Sequence, residues 1–506
     1  MILINSSPKD TAKIFSAFYP THPPIGIGYL LNAAEREGIK AKYIDEQVEK
    51  NISGLAAEYV KEIERPYIFG FSVLTAAVKN ATSISRELKK RYPDSFIVFG
   101  GVHPTVAPEE ILSYMHIDVI LRGEAETTLP ELYRCVKQGR DFTHIEALSY
   151  RLDGKIVHNV LKPIQSGTDS YPPFPYHFFN HKKYDMGFVM SSRGCPHKCI
   201  FCSCRSITGT TIRYRPAETI VDELEMIYNK YNKNCVTFID DNFVVNKERV
   251  YPLIELIKQR GLHNKMSFAF QARGDNVEYN ICKDMYDAGF RVVLFGLETA
   301  SEKIMKIIKK GETVAQCINA VKTVKKLGFN VGATFVFGLP GDTHKERMNC
   351  LRLTKELQLD VVRYNNAIPY PGTELYEIAK KENRLNIQGL YENFIAVSGI
   401  AENPFKQIPL AYVPEGNTEN EIRRDILISY LSTYSNIVKT LKIILKPAHG
   451  VKWLSVGDSP LETLKKMPAI FCLGILLICK FGQFIYYSLI KKETALPLEY
   501  LMKQLR

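Results

Sequence analysis

The stretch Arg193-Gly194-Cys195-Pro196-His197-Lys198-Cys199-Ile200-Phe201-Cys202 decides the fold. It places Cys195, Cys199 and Cys202 at C-x3-C-x2-C spacing, directly after an apolar run at 187–190 that predicts a strand. Three closely spaced thiolates on a loop can bind three irons of a 4Fe–4S cluster and leave the fourth iron open to a small molecule. A zinc site would need a second ligand pair downstream, and none follows. Three unrelated buried cysteines are the other alternative.

Beyond this loop, apolar runs alternate with amphipathic stretches. Strands are predicted over 235–239, 267–271, 292–296, 331–337 and 361–367, and helices over 217–231, 249–260, 277–288, 314–327 and 344–357. With the strand before the loop, this makes six β-α units, which predicts an incomplete (β/α)6 TIM barrel. Such barrels carry their functional groups at the carboxyl ends of the strands. The sequence places there Asp240, Gln271, Arg273, Glu298, Ser301, Gly338 and Pro369.

Residues 1–140 show the same alternation before the loop. Strands are predicted over 2–4, 39–44, 67–72, 96–99 and 119–121, and helices over 26–37, 76–91 and 108–114. Apolar strands separated by helices predict a Rossmann-like parallel sheet, which binds ligands at the carboxyl ends of its strands. The candidates at these ends are Gly26, Ser72, Leu74, Thr75, Gly100, Gly101, His103, Pro104, Thr105, Gly123 and Glu124. Glycines there allow a ligand to approach the backbone closely, although turn glycines in a ligand-free sheet would look the same.

Two segments, Gly100-Gly101-x-His103-Pro104-Thr105 and Arg122-Gly123-Glu124-x-Glu126, resemble the cobalamin-binding domain at the amino terminus of a large enzyme class. The resemblance implies cobalamin at the residues given above. The D-x-H-x-x-G motif, whose histidine binds cobalt from below in the methionine synthase type, is absent from this segment. His103 is therefore not expected to be a cobalt ligand. Leu74 and Thr75 are the candidates to face the lower side of the corrin.

The barrel region, about 185–384, resembles the radical S-adenosylmethionine (SAM) superfamily, and with the preceding domain its cobalamin-dependent, methyltransferase-like branch. The resemblance implies that Cys195, Cys199 and Cys202 ligate the cluster. It implies SAM contacts at Phe201, Asp240, Gln271, Arg273, Glu298, Ser301, Val336, Gly338 and Pro369. Arg273 is the candidate partner of the SAM carboxylate, because a guanidinium matches a carboxylate bidentately. Cys204 is either a redox-active thiol or a bystander.

The resemblance implies that an electron from the cluster cleaves SAM to methionine and a 5′-deoxyadenosyl radical, and that methylcobalamin supplies a methyl group to an unactivated carbon. The substrate would be a small molecule, with a lipid-like compound as one option, and a flavodoxin or ferredoxin would be the electron donor. One alternative is radical oxidation, cyclisation or rearrangement without methyl transfer. Another is a non-catalytic cobalamin or redox sensor. The catalytic residues beyond these contacts stay unassigned.

The length predicts two or three domains, the composition fits a protein of the reducing cytoplasm, and an exposed cluster would require low oxygen. The 506 residues are 45% hydrophobic and 24% charged, with eleven irregularly spaced cysteines, unlike a secreted disulfide scaffold. No cleavable signal peptide is visible. Predicted domains are 1–140 (cobalamin), 141–184 (a linker with a hairpin), 185–385 (barrel), 386–460 (helical) and 461–506 (a basic, apolar tail).

The carboxyl-terminal tail carries much of the net charge of +12. From residue 436 to 506 there are eleven Lys or Arg and four Asp or Glu, a net of +7. No nucleic-acid-binding motif accompanies this charge, so no nucleic-acid partner is expected. The apolar stretch 467–490 approaches the length of a span, but Lys480 at its centre costs about 2.5–3.5 kcal/mol on insertion scales. A helix lying on the inner face of the cell membrane or a buried core helix are the alternatives.

Overall fold

The computed structural model describes residues 1–8, 21–161, 171–395, 408–434 and 460–486. Its two sheets and their helices give the α/β class that the sequence predicts.

The first sheet has seven strands in the order β2-β1-β3-β4-β5-β6-β7. The strands are β1 (Ile2–Asn5), β2 (Lys42–Asp45), β3 (Ile68–Ser72), β4 (Phe96–Gly100), β5 (Val119–Leu121), β6 (Leu148–Leu152) and β7 (Lys155–His158). The helices are α1 (Ile25–Arg36), α2 (Ile52–Tyr59), α3 (Val78–Arg91), α4 (Val102–Val106), α5 (Pro108–Leu112) and α6 (Thr128–Gln138). Strands β1 to β5 pair in parallel, which confirms the predicted Rossmann-like arrangement.

Two details of this sheet differ from the sequence prediction. The hairpin predicted inside the linker pairs antiparallel with β5, so the sheet continues past residue 140 to His158. Strand β2 begins at Lys42 rather than at residue 39. The amide of Ile39 instead donates to the carbonyl of Ala34 at 2.8 Å, closing the end of α1 around Gly38, whose φ is +66°.

The second sheet is parallel and has six strands in the order β15-β14-β13-β12-β11-β8, as the (β/α)6 prediction requires. The strands of this part are β8 (Phe188–Val189), β9 (Ser192–Arg193), β10 (Arg213–Tyr214), β11 (Cys235–Phe238), β12 (Ser267–Ala272), β13 (Phe290–Glu298), β14 (Asn330–Phe337) and β15 (Val361–Asn366). The helices are α7 (Cys204–Thr208), α8 (Ala217–Tyr231), α9 (Lys247–Gln259), α10 (Tyr279–Asp287), α11 (Glu302–Ile307), α12 (Val314–Lys326), α13 (His344–Glu356) and α14 (Glu374–Lys381). Strands β9 and β10 form a separate two-stranded ribbon beside the cysteine loop.

Aromatic side chains fill the interior of the barrel. The rings of Phe238 and Phe243 lie 4.7 Å apart, and Phe290 lies 5.6 Å from Phe238 and 5.5 Å from Phe243. All three side chains are buried. Because this apolar filling closes the interior, polar chemistry is confined to the rim formed by the carboxyl ends of the strands.

Two further helices, α15 (Glu419–Tyr434) and α16 (Pro460–Ile485), follow the barrel. Helix α15 packs against α13 and covers edge strand β15. The Tyr434 hydroxyl accepts from the amide of Val362 and donates to its carbonyl, both at 2.9 Å, and the amide of Tyr364 donates to the Tyr430 hydroxyl at 3.1 Å. The tyrosines therefore satisfy backbone groups that an open barrel leaves unpaired.

Helix α16 starts at Pro460, seven residues before the predicted apolar stretch. Residues 435–445 of the predicted helix after 419, and residues 487–490 of the apolar stretch, lie outside the described residues. Within the described ranges, no helix is both long and apolar enough to cross a bilayer.

Candidate functional site

A cavity of about 360 Å³ lies between the carboxyl ends of β3, β4 and β5 and the first turns of the barrel. This volume is in the range of small-molecule sites, roughly 300–1,000 Å³. Its wall on the first-sheet side includes Gly26, Ser72, Leu74, Gly100, Gly101, Gly123 and Glu124. Its wall on the barrel side includes Met190, Ser192, Arg193, Ile207, Thr208, Ile239 and Asp241. The two domains thus enclose one cavity.

Glycines let the cavity reach the backbone of the first sheet. A Cβ on Gly101 would lie 2.8 Å from the amide nitrogen of Val73, and the φ of Gly101 is +92°. A Cβ on Gly100 would lie 3.3 Å from the carbonyl oxygen of Leu121. Leu74 is 56% exposed beside them, unusual for a large apolar side chain at a strand end. This wall suits a flat, partly apolar ligand.

Four predicted cobalamin contacts, Thr75, His103, Pro104 and Thr105, are buried and do not line this cavity. After Gly101 the chain turns into the short helix α4, which directs His103, Pro104 and Thr105 into the protein, while Thr75 is buried just beyond the end of β3. The ring of His103 packs against Tyr391 at 4.8 Å between centroids. Thr105 donates to the carbonyl of Gly101 at 2.7 Å and accepts from the amide of Gly123 at 2.9 Å. Thr105 therefore holds two glycine turns together instead of facing the cavity.

Ion pairs join the two walls of the cavity. Arg213 of the barrel binds both carboxylate oxygens of Glu124, at 2.6 and 2.8 Å. Arg193 binds Glu126 at 2.7 Å, lies 3.3 Å from Glu124 and stacks 3.9 Å from the ring centre of Tyr171. Burial by itself would raise the pKa of Glu124, but the two arginines outweigh it and hold this pKa below its usual value of 4.5. Glu124 is thus an ionised contact between domains as well as part of the wall.

The cysteine loop is held from both sides. Gly194 has a φ of +98°, and a Cβ there would lie 2.3 Å from the carbonyl oxygen of Thr211. The amide of Ile200 donates to the carbonyl of Ile308 at 3.1 Å, and the amide of Leu375 donates to the carbonyl of Ile200 at 2.9 Å. These bonds place the middle of the loop between α11 and α14, at the barrel rim.

Asp240, predicted as a SAM contact, accepts hydrogen bonds from the segment that leads into this loop. Its carboxylate accepts from the amide and hydroxyl of Ser191, at 3.1 and 2.9 Å, and from the hydroxyl of Ser192 at 2.5 Å. Burial raises the pKa of Asp240 above its usual value, although Arg249 opposes this shift. Buried on the two serines, Asp240 positions the loop, and its neighbour Asp241 faces the cavity; a SAM contact at Asp240 stays a prediction.

The three thiols of the loop differ in exposure. Cys202 is exposed, Cys195 and Cys199 are half-buried, and all three are free. Burial raises the pKa of Cys199, while Lys310 and Arg273 act in the opposite direction and favour the thiolate. The donor set therefore fits a cluster that binds a thiolate on each of three irons. Among the described residues, no group of three or more His, Cys, Asp or Glu side chains is arranged to hold a single metal ion.

Cys204 links the cysteine loop to the cavity. Its thiol donates to Asp241 Oδ2 at 2.8 Å and lies 3.1 Å from the hydroxyl of Thr208. Asp241 and Thr208 both line the cavity, and Cys204 is two residues beyond Cys202. The loop and the cavity thus share a wall.

Charged side chains are buried at the barrel rim. Arg273, at the end of β12, pairs bidentately with Asp275 at 3.0 and 2.9 Å. Lys310 Nζ lies 3.0 Å from Glu298 Oε1 and 3.6 Å from Glu312 Oε1. Burial would lower the pKa of Lys310, but Glu298 and Glu312 outweigh it and raise this pKa, so the lysine stays charged. Such a charged, dry rim suits a zwitterionic ligand.

The other predicted SAM contacts have varied surroundings. Gln271 is exposed at the rim, Phe201 and Val336 are half-buried, and Ser301 and Pro369 are buried. The amide of Gly338 donates to Asp342 Oδ2 at 2.7 Å, and a Cβ on Gly338 would lie 3.1 Å from Ile422 Cδ1. Helix α15 therefore covers Gly338.

Several residues at the site were not predicted as contacts, namely Met190, Arg193, Ile207, Thr208, Arg213, Asp241, Lys310 and Glu312. Lys310 and Glu312 stand in the segment Lys309-Lys310-Gly311-Glu312, which is typical of solvated loop charge. Nothing in the sequence separates the buried Lys310 from the exposed Lys309. The sequence only weakly indicates a role at the site for Asp241, because Asp241 follows Asp240 at a predicted strand end.

Comparison with known proteins gives two family matches. Residues 189–354 match the Radical SAM superfamily, and residues 13–133 match the B12 binding domain.

Two curated relatives and one solved structure extend these matches. An uncharacterized methyltransferase, PH0819, from Pyrococcus horikoshii is 34% identical over 390 residues, covering 76% of this chain and 84% of the relative. Anaerobic magnesium-protoporphyrin IX monomethyl ester cyclase from Cereibacter sphaeroides is 25% identical over 370 residues, covering 70% of this chain and 60% of the relative. The cobalamin-dependent S-adenosylmethionine radical enzyme OxsB, solved with aqua-cobalamin and S-adenosylmethionine, superposes with a TM-score of 0.68 at 18% identity, covering 100% of this chain and 78% of that chain. The solved structure shares the fold.

Proposed function

Because this chain belongs to the radical SAM superfamily and carries a B12-binding domain, we propose that it transfers a methyl group to an unactivated carbon of a small, apolar substrate. The chain is a cobalamin-dependent radical SAM enzyme of methyltransferase-like type, and its cofactors are a 4Fe–4S cluster, SAM and cobalamin. When bound, the cluster supplies the electron that cleaves SAM, and cobalamin supplies the methyl group.

The shared wall between the cavity and the cysteine loop carries this proposal. Asp241 lines the cavity and accepts from Cys204, two residues beyond Cys202. A corrin seated on the glycines of β4 would face the same rim as a cluster held by the loop. A substrate between them would meet both cofactors, as methyl transfer to a carbon radical requires.

The protein's own residues would bind and orient the reactants. We propose that Cys195, Cys199 and Cys202 hold the cluster, and that Lys310 with Arg273 provides positive charge for the SAM carboxylate. Glu298 would then be available to the SAM amino group, since its carboxylate already lies at the rim beside Lys310. Arg273, Glu298 and Lys310 are buried, so this part of the rim would exclude water from the bound SAM.

The predicted cobalamin contacts that face the cavity keep that role in the proposal: Gly26, Ser72, Leu74, Gly100, Gly101, Gly123 and Glu124. Phe201, Gln271, Ser301, Val336, Gly338 and Pro369 stay predicted SAM contacts. An external flavodoxin- or ferredoxin-type donor and a lipid-like substrate also stay predictions.

Radical cyclisation without methyl transfer is the second candidate function. It is favoured by the similarity to a protein named as a monomethyl ester cyclase, of which the chain covers 60%. The same cavity and rim would serve it, because both reactions need cobalamin beside SAM.

An anaerobic assay with methyl-labelled SAM tests the proposal without a known substrate. Protein reconstituted with iron, sulfide and cobalamin is reduced by dithionite, and the products are separated by mass spectrometry. We expect 5′-deoxyadenosine and transfer of the label to cobalamin. 5′-Deoxyadenosine without label on cobalamin would favour cyclisation and reject methyl transfer.

Two single-cysteine variants control this assay. Cys199→Ala should lose the cluster and all 5′-deoxyadenosine while still binding cobalamin. Cys204→Ala makes the same change just outside the C-x3-C-x2-C spacing and should keep its iron content. Full 5′-deoxyadenosine formation by Cys199→Ala would reject the cluster mechanism.

A further inference from the structure

Helix α16 presents a continuous apolar stripe to solvent. The stripe consists of Leu464, Met467, Phe471, Ile475 and Ile478, which are 67%, 48%, 69%, 46% and 73% exposed. These residues are three or four positions apart, so they share one face of the helix over about 21 Å. An exposed row of five large apolar side chains costs free energy in water and marks an interaction surface.

The opposite face of the same helix contacts the protein. Leu476 and Lys480, four residues apart, are 7% and 4% exposed. Seven residues beyond Ile478, where the described helix ends, the stripe side of the helix also reaches the protein: Ile485 packs on the cluster formed by Met348 and Leu351 of α13 with Leu427 and Ile428 of α15. The one charge in the middle of the apolar stretch is therefore turned inward, which leaves the stripe uncharged.

The sequence around the stripe is strongly basic. Lys465 and Lys466 lie in the helix near Leu464, and Lys491 and Lys492 follow its end. The last 71 residues hold eleven basic and four acidic side chains, so they carry +7 of the net +12. An apolar stripe in a basic segment complements a surface that is apolar below and negatively charged above, which is the surface of an anionic bilayer.

We propose that helix α16 lies in the headgroup region of an anionic membrane, with the stripe immersed and its axis parallel to the surface. A parallel orientation follows because Lys480, in the middle of the apolar stretch, stays on the protein side. Tyr486, 43% exposed at the described end of the helix, suits the interface between headgroups and water. This surface is independent of the reaction proposed above.

Vesicle flotation of the full-length protein tests the proposal. Vesicles of phosphatidylcholine with 30% phosphatidylglycerol are compared with pure phosphatidylcholine at low and high salt. We expect strong binding to the anionic vesicles, weaker binding at high salt as charges are screened, and little binding to the neutral ones. Equal binding to both vesicle types, or none to either, would overturn the proposal.

Matched variants distinguish membrane binding through the stripe from nonspecific binding through other exposed apolar side chains. The double variant Phe471→Gln/Ile478→Gln keeps good helix formers and should lower the partition coefficient about tenfold or more, because two large apolar side chains leave the lipid. Met115→Gln changes a 75% exposed apolar side chain of the first domain and should bind like the native protein. Circular dichroism and cobalamin binding check that the double variant is folded.

The same variants test whether the stripe instead binds a second copy of the chain. Light scattering should show a monomer at all concentrations in the absence of lipid. A concentration-dependent dimer that Phe471→Gln/Ile478→Gln abolishes would assign the stripe to self-association and overturn the membrane proposal.

Discussion

Lys310 Nζ lies 3.0 Å from Glu298 Oε1, and both side chains are buried at the barrel rim. The neighbouring Lys309 pairs with Glu374 at 2.6 Å, but its side chain is 54% exposed. Two adjacent lysines of the same chain therefore make one dry and one solvated ion pair.

We expect Lys310→Met to destabilise the protein by about 3–5 kcal/mol, because it leaves the buried Glu298 and Glu312 without their cation. SAM binding should fall as well. Lys309→Met is the control and should cost less than about 1 kcal/mol, as exposed pairs do. Denaturant unfolding measures the free energy of unfolding of both variants. Equal losses in the two would show that the buried ion pair contributes no more to stability than the exposed one. Lys310→Met/Glu298→Gln should recover part of the lost stability.

Gly101→Ala should abolish cobalamin binding and lower stability. The added Cβ would lie 2.8 Å from the amide nitrogen of Val73, in a backbone conformation with φ of +92°. Such strain costs about 1–3 kcal/mol. Gly139→Ala is the matched control, because Gly139 also has a positive φ of +61° but a Cβ added there would meet no atom within 4 Å. The control should be mildly destabilised and keep cobalamin, as absorbance after gel filtration can record.

Glu124 should contribute pH-dependent stability. Its pKa in the folded state is below the usual 4.5, because Arg213 and Arg193 outweigh burial. The unfolded state then binds the proton more tightly, so the contribution is present above pH 4.5 and is lost as the pH falls through the folded-state pKa.

Thermal unfolding of the native protein and Glu124→Gln between about pH 7 and pH 3 checks this. The stability difference between the two should shrink as the pH falls. Glu37→Gln, which changes an exposed pair with Arg134 at 2.7 Å, should stay within about 1 kcal/mol of the native protein at neutral pH. A pH-independent difference for Glu124→Gln would contradict the assignment.

Tyr434→Phe should weaken the edge of the barrel. It removes two hydrogen bonds to the backbone of Val362, each worth about 0.5–1.5 kcal/mol. Hydrogen exchange at the Val362 amide should accelerate, because that donor would become unpaired. Tyr279→Phe, at an exposed position on α10, should leave both stability and exchange unchanged. Unchanged exchange in Tyr434→Phe would mean that water replaces the hydroxyl without cost.

Local sequence was enough for the parallel strands of both sheets and their order, but it did not predict helices α2 and α6 or the ribbon of β9 and β10. Near-continuous apolar runs predicted five parallel strands in the first sheet and six in the barrel, because such strands are buried on both faces of the sheet. The sequence also predicted a hairpin within the linker at 141–184, where Asp153-Gly154 suits a tight turn. The hairpin's place at the edge of the first sheet could not be predicted, because strand pairing across chain-distant segments leaves no local signal.

The site was predicted in outline and revised in detail. Cys195, Cys199 and Cys202 were identifiable because their ligand spacing is itself local. Asp240 and Asp241 are adjacent, yet one is buried on Ser191 and Ser192 and the other faces the cavity. Spacing cannot distinguish such neighbours, since direction depends on the backbone after the strand ends.

The sequence by itself determined the β/α order, the three-thiol loop and the basic, apolar tail, since each is a property of neighbouring residues. Only the tertiary structure decided that the glycines of the first sheet and the residues beside the cysteine loop enclose one cavity. It also decided that Lys480 points toward the protein, leaving the stripe from Leu464 to Ile478 uncharged. Burial of a charge depends on what packs against it, and those partners come from distant parts of the chain.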